Sequence, residues 1–110
     1  MIKIKITKTE NSTINELDFD HIPLGKIFTD HMFICDYENG SWNNPRIQPM
    51  QTIATHPATM ALHYGQAIFE GMKATLNAAG VPLLFRPSKN AARLNVSAVR
   101  MGMPELPQEI

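Results

Sequence analysis

Cysteine is almost absent. Cys35 is the only one in 110 residues, so no disulfide can form within the chain. Neither sign of charge is in surplus: ten basic residues face ten acidic ones, and the formal net charge is zero. A general nucleic-acid binder needs a basic excess to attract phosphate backbones, which argues against that class. No run of about 18 apolar residues occurs, so no segment reads as a membrane-spanning helix. The opening "MIKIKIT" alternates lysine with isoleucine and lacks the apolar centre of a secretory signal. These absences together point to the cytoplasm. The chemistry-bearing motifs are missing too: no Gly-rich phosphate loop, no cysteine pair for zinc, no G-x-S-x-G elbow. His21, His31, His56 and His63 include no pair at the i, i+4 spacing of a helical metal site. Asp30 and His31 are neighbours on an expected strand and point to opposite faces, so no shared metal is expected.

What is present is enough apolar material for a core. Hydrophobic residues make up 44% of the chain, and a chain this long ordinarily buries roughly 65% of its unfolded surface. Ile2, Ile4 and Ile6 alternate with Lys3 and Lys5, which predicts an edge strand guarded by lysines. Thr9 to Asp18 is polar and reads as a loop. A strand is expected from about Thr29 to Tyr37, and Asn39-Gly40 after it is a strong hairpin signal. Pro45 and Pro49 bracket the return, so the next strand should be short or lie at an edge. A helix is expected over about Thr59 to Glu70, with Ala61, Tyr64 and Ile68 on one side and Leu62 and Phe69 on another. Such a helix would be largely buried, with Gly71 as its stop. "KATL" and "VPLLFR" read as two strands joined at Gly80. A second helix is expected from about Lys89 to Met101, capped by Ser88 and ended by Gly102 and Pro104. Its inner stripe is Ala91, Leu94, Ala98 and Met101. The closing "PELPQEI" has the proline and acidic residue with which a helix starts, so the 110 residues read as the front part of a longer protein.

Two charged residues raise a chemical question. Arg93 sits in the second expected helix among Ala91, Ala92 and Leu94. Buried, its guanidinium needs a carboxylate or phosphate partner. Aligned with Val96 and Arg100, it falls on a wet outer face, the reading that spacing alone favours. Glu70 is either a core carboxylate held by a backbone donor or an arginine, or an exposed one. Tyr64 and Phe69 read first as core aromatics.

Three blocks change the weighing. "FTDHMF" (Phe28 to Phe33), "LHYGQAIFEGMKA" (Leu62 to Ala74) and "LFRPSKNAARLNVSAVRMGMP" (Leu84 to Pro104) stand in this order and at this spacing. Over about Leu24 to Pro104 the chain resembles the N-terminal part of branched-chain aminotransferases, pyridoxal-phosphate enzymes of fold type IV. The "FTDHM" block favours these over the D-amino-acid aminotransferases and aminodeoxychorismate lyases of the same fold. The resemblance implies an α+β small domain with a mainly antiparallel sheet and two packed helices. It implies reversible amino transfer from leucine, isoleucine or valine to 2-oxoglutarate, giving glutamate and a branched 2-oxo acid. It implies pyridoxal 5′-phosphate as cofactor and a homodimer, with no role for nucleic acid or membrane.

The resemblance also assigns residues. Arg93 matches the arginine that holds the cofactor phosphate. Tyr64 and Phe69 match aromatics of the substrate pocket, Gly71 matches a glycine that lets backbone approach the ligand, and Phe28 belongs to the same wall. Glu70 stays structural. No residue here matches the family's catalytic lysine, which the resemblance places outside these 110 residues; Lys73 and Lys89 do not correspond to it. The chain alone is therefore expected to transaminate nothing. A standalone binding or dimerisation module is the alternative from another class.

Overall fold

A computed structural model describes residues 2–110. They form two compact units, one running to Ala54 and taking in Ile110, the other spanning Thr55–Glu109. The class is α+β, and the β-structure falls into two sheets rather than one.

The first unit is built on a hairpin. Strand β2 (His31–Glu38) turns at Asn39-Gly40 into β3 (Ser41–Pro49). Asn39 and Gly40 both take positive φ, 52° and 77°, as a two-residue hairpin loop requires. The two strands are antiparallel, with Glu38 opposite Ser41 and His31 opposite Pro49. The short β1 (Lys5–Ile6) runs parallel to β3 at the sheet edge, so the strand order is β1-β3-β2. Its edge position is the expected one, although only two of the alternating residues pair.

The expectation for the returning strand is corrected. β3 has nine residues and is the central strand. The prolines are tolerated because of where they fall. The register slips between Ile34 and Asp36, so Asn44 and Pro45 together face Cys35. Asn44 takes φ 53° in this bulge, and Pro45 sits where no ladder donor is needed. Pro49 closes the last pair of the strand.

The polar loop contains one 3₁₀ turn, Ile14–Glu16, and is tied down at its start. Asp30 accepts from the Ser12 hydroxyl at 2.6 Å and from the Thr13 amide and hydroxyl at 3.1 and 2.9 Å. These donors, Ser12 first, hold the Asp30 carboxyl below its ordinary pKa. The Thr9 amide donates to His31 Nε2 at 2.9 Å.

In the second unit the first helix is much shorter than expected. α1 spans only Met60–His63. Gly65 takes φ 62° and the Gln66 amide reaches back to the Met60 carbonyl, which ends the helix well before Gly71. The segment beyond Gly65 is irregular and opens on a tight turn, the Ala67 amide bonding the Gly65 carbonyl at 2.8 Å. Nor is the helix buried: Met60, Leu62 and Tyr64 are exposed. β4 (Ala74–Leu76) and β5 (Pro82–Leu84) form the expected antiparallel hairpin, its loop folded around the Asn77 side chain.

Helix α2 (Pro87–Arg100) starts two residues earlier than the capping argument allows. Arg86, in the left-handed region, is the N-cap and Pro87 takes the first helical position, where its missing N–H costs nothing. Ser88 is inside the helix and makes no cap bond. The stop at Gly102 is as expected, with the Met103 amide bonded to the Ala98 carbonyl at 2.8 Å. Of the expected inner stripe, Ala98 is 2% exposed, whereas Met101 is open to solvent. Among the described residues Ala98 is the one fully buried apolar side chain. No helix among them is long and apolar enough to cross a membrane.

Candidate functional site

Early termination of α1 is what makes the site. The chain leaving Gly65 is no longer helical and is anchored where Gln66 Nε2 donates to the Met101 carbonyl at 2.8 Å. Five residues after Gly65 comes Glu70, whose side chain is only 9% exposed. A carboxylate so enclosed needs donors, and four N–H groups supply them. Arg93 Nε donates to Oε2 at 2.6 Å, and Arg93 Nη2 donates to Oε1. Asn90 Nδ2 and the Gly71 amide donate to Oε1 at 3.2 and 3.0 Å. Asn90 Nδ2 also donates to the Gly71 carbonyl at 2.9 Å. Asn90 and Arg93 are three apart on α2, which places both over one turn of the helix. The result is a clasp between the helix and the Glu70-Gly71 peptide.

The electrostatics follow from this geometry. The Arg93 hydrogen bond is the main cause that lowers the Glu70 pKa from 4.5 to about 2, with desolvation opposing it and Asn90 assisting. Glu70 in turn raises the pKa of Arg93. Because the folded carboxyl is the stronger acid, the clasp contributes its full stability above about pH 4.5. That contribution falls away as the pH drops from there through about 2. A carboxyl ¹³C titration of Glu70 should therefore show no midpoint near 4.5; an ordinary midpoint there would mean that the clasp does not hold in solution.

Arg93 follows the outer-face reading rather than the buried one. It lies on the outer side of α2 with Val96 and Arg100, and its side chain is 68% exposed. It also has a carboxylate partner. Its Nη1 group makes no hydrogen bond among the described residues. Glu70 is the enclosed carboxylate of the two options weighed for it.

The aromatics are not core residues of their unit. Tyr64 is 79% exposed and Phe69 92%. Phe69 lines an open hollow of about 310 Å³ with Ala67, Ile68, Ser97, Arg100 and Met101. Phe28 is 65% exposed and belongs to the first unit, in a hollow of about 280 Å³ with Ile14, Leu17, Phe19, Thr29, Asp30 and His31. Gly71 has no positive φ, and a methyl group added there would meet nothing within 4 Å. Its own fold therefore sets no steric demand for glycine.

Sequence reading passed over Asn90 and Asn95. Asn95 grips Leu106 with both ends of its amide, donating to the carbonyl at 2.8 Å and accepting from the amide at 2.9 Å. Asparagine is a poor helix former, and two within α2 were the one signal that side-chain amides had work there.

No protein-family profile matches the chain. Individual proteins do. Over 109 residues it is 41% identical to branched-chain-amino-acid aminotransferase 2 of Bacillus subtilis, covering 98% of this chain and 29% of that protein. The chain is similar to part of the branched-chain aminotransferases. Branched-chain-amino-acid transaminase 1 of the same organism is 47% identical over 94 residues, 84% of this chain and 26% of that protein. The Mycolicibacterium smegmatis aminotransferase is 48% identical over 87 residues, 78% of this chain and 24% of that protein. The chain thus spans under a third of the length of these aminotransferases. The match to the first of them takes in both units, including Phe28, Tyr64, Phe69, Gly71 and Arg93.

Proposed function

We propose that this chain is the N-terminal part of a pyridoxal-phosphate-dependent branched-chain aminotransferase. The whole protein moves the amino group of leucine, isoleucine or valine to 2-oxoglutarate, reversibly, as a cytoplasmic homodimer. The observation that carries this reading is the likeness to named branched-chain aminotransferases along nearly the whole chain.

The donor geometry around Arg93 fits the cofactor. A phosphate dianion needs oriented donors. Arg93 has one edge of its guanidinium fixed by Glu70, while its Nη1 donors remain open on an exposed side chain. A planar cation held along one edge is a suitable partner for a phosphate oxygen on the other. Arg93 would hold the phosphate, and the cofactor when bound supplies the electron sink on which amino transfer depends. Tyr64 and Phe69 present apolar rings suited to enclosing a branched aliphatic side chain and excluding water from it. Gly71 leaves room beside its backbone for a ligand. Phe28, in the first unit, presents a further exposed apolar ring of the kind a branched aliphatic side chain needs. None of these residues moves a proton at the reacting carbon; that task belongs to a lysine outside the chain.

An assay of the full-length protein tests the reading. Glutamate should form from L-leucine and 2-oxoglutarate with added cofactor, and pyruvate should not form from D-alanine. Turnover of D-alanine, or release of pyruvate from aminodeoxychorismate, with none of L-leucine would move the assignment to another member of the fold. Absence of all three activities would favour a non-catalytic module.

A further inference from the structure

The clasp around Glu70 does more than close a charge pair. An arginine on a helix surface is flexible, and fixing its orientation before a ligand arrives removes a cost from binding. Glu70 occupies the Nε–Nη2 edge of Arg93, so the guanidinium plane is set and Nη1 points away from the carboxylate. Asn90 holds the same carboxylate oxygen and, with the same amide nitrogen, the Gly71 carbonyl. The Gly71 amide completes the ring of donors. One enclosed carboxylate thereby joins the helix that carries the cation to the peptide that lies next to Phe69. In this arrangement a shift of either element is felt by the other.

We propose that Glu70 is a positioning residue, which with Asn90 orients Arg93 for the phosphate of the cofactor and keeps the Gly71 peptide in step with it. This rests on the reading of Arg93 as a phosphate ligand. It opposes what charge alone would give: an anion beside a dianion site repels the ligand, so removing it should tighten binding if orientation counted for nothing. Glutamine at 70 keeps the size and removes the charge. Its amide has a single acceptor oxygen and turns donors toward the guanidinium, so the two-bond edge contact is lost.

The decisive measurement compares pyridoxal 5′-phosphate with pyridoxal, which lacks the phosphate, by absorbance titration of the full-length apoenzyme. A loss of packing lowers both affinities together; a loss of orientation lowers only the first. The ratio should fall about tenfold in Glu70→Gln and about threefold in Asn90→Ala, which loses only neutral donors, with pyridoxal binding unchanged. Arg93→Ala in the same series should abolish the preference for the phosphorylated form. An unchanged or raised ratio in Glu70→Gln overturns the proposal, and if that variant does not fold, an unchanged ratio in Asn90→Ala does so. An unchanged ratio in Arg93→Ala would instead remove the phosphate role on which the proposal stands.

Discussion

Arg93→Ala in the full-length protein should lose pyridoxal 5′-phosphate during a dialysis that the parent protein survives, with an affinity drop on the order of 100-fold. The expectation follows from geometry rather than from charge alone. Alanine removes the Nη1 donors that face outward and leaves Glu70 with Asn90 and one backbone amide as its remaining donors. An enclosed carboxylate then stands where a cation and an anion were balanced, and it repels the phosphate. Arg93→Lys should recover little of the loss. An ammonium group has no rigid fork, so it cannot hold both oxygens of Glu70 and still present a second edge. Cofactor absorbance after exhaustive dialysis reads both variants. Full retention in Arg93→Ala would show that the phosphate is held elsewhere.

The 110-residue chain produced by itself should self-associate and should show no transaminase turnover. A compact protein of 12.3 kDa exposes about 6,100 Å², and two separate globules of half that mass about 7,300 Å² together. This chain exposes 9534 Å². Large apolar side chains contribute to it: Phe19, Leu24, Tyr64, Phe69, Phe85 and Val96 are all open. Soluble monomers seldom leave so many large apolar side chains uncovered, and such surface finds a partner. Sedimentation velocity across a concentration series should therefore give dimers or larger species. A single sharp boundary at the monomer mass, undisturbed at high concentration, would count against this. So would glutamate formed by the isolated chain from leucine and 2-oxoglutarate.

Local rules served the sequence reading well where the deciding chemistry was local. Asn39-Gly40 forecast its turn because few other pairs accept two positive φ angles in succession. The hairpin at Gly80 and the helix stop at Gly102 were legible for similar reasons. Errors arose where two local rules competed. Gly65 sits inside an apolar periodic run, and the period outweighed the glycine in the reading; in the fold the glycine wins, and the Met60, Leu62 and Tyr64 side chains beside it stay exposed. Ser88 is a better capping residue than Arg86 in general, yet Pro87 decides the start of α2. The prolines of β3 suggested an edge, and only pairing across the sheet reveals that one of them falls in a bulge. For the site, spacing placed Arg93 on the outer face correctly. Its partner was out of reach of any local rule, because Glu70 is 23 residues away in the sequence.

The bulge in β3 also settles a matter of parity. Trp42 and Ile47 are an odd number of positions apart, so an uninterrupted strand would send them to opposite sides. Counting Asn44 and Pro45 as one step makes the separation even. Trp42 then stands across from Tyr37, the rings 5.2 Å apart edge to face, and Ile47 stands across from Phe33 on that same side. The other side receives Asp36 and Arg46, joined at 2.7 Å. Were both residues kept and the strand ironed flat, tryptophan and isoleucine would part company, and the oily side would mix with the charged one. Removing one of the two, by contrast, would leave every other side chain where it now stands.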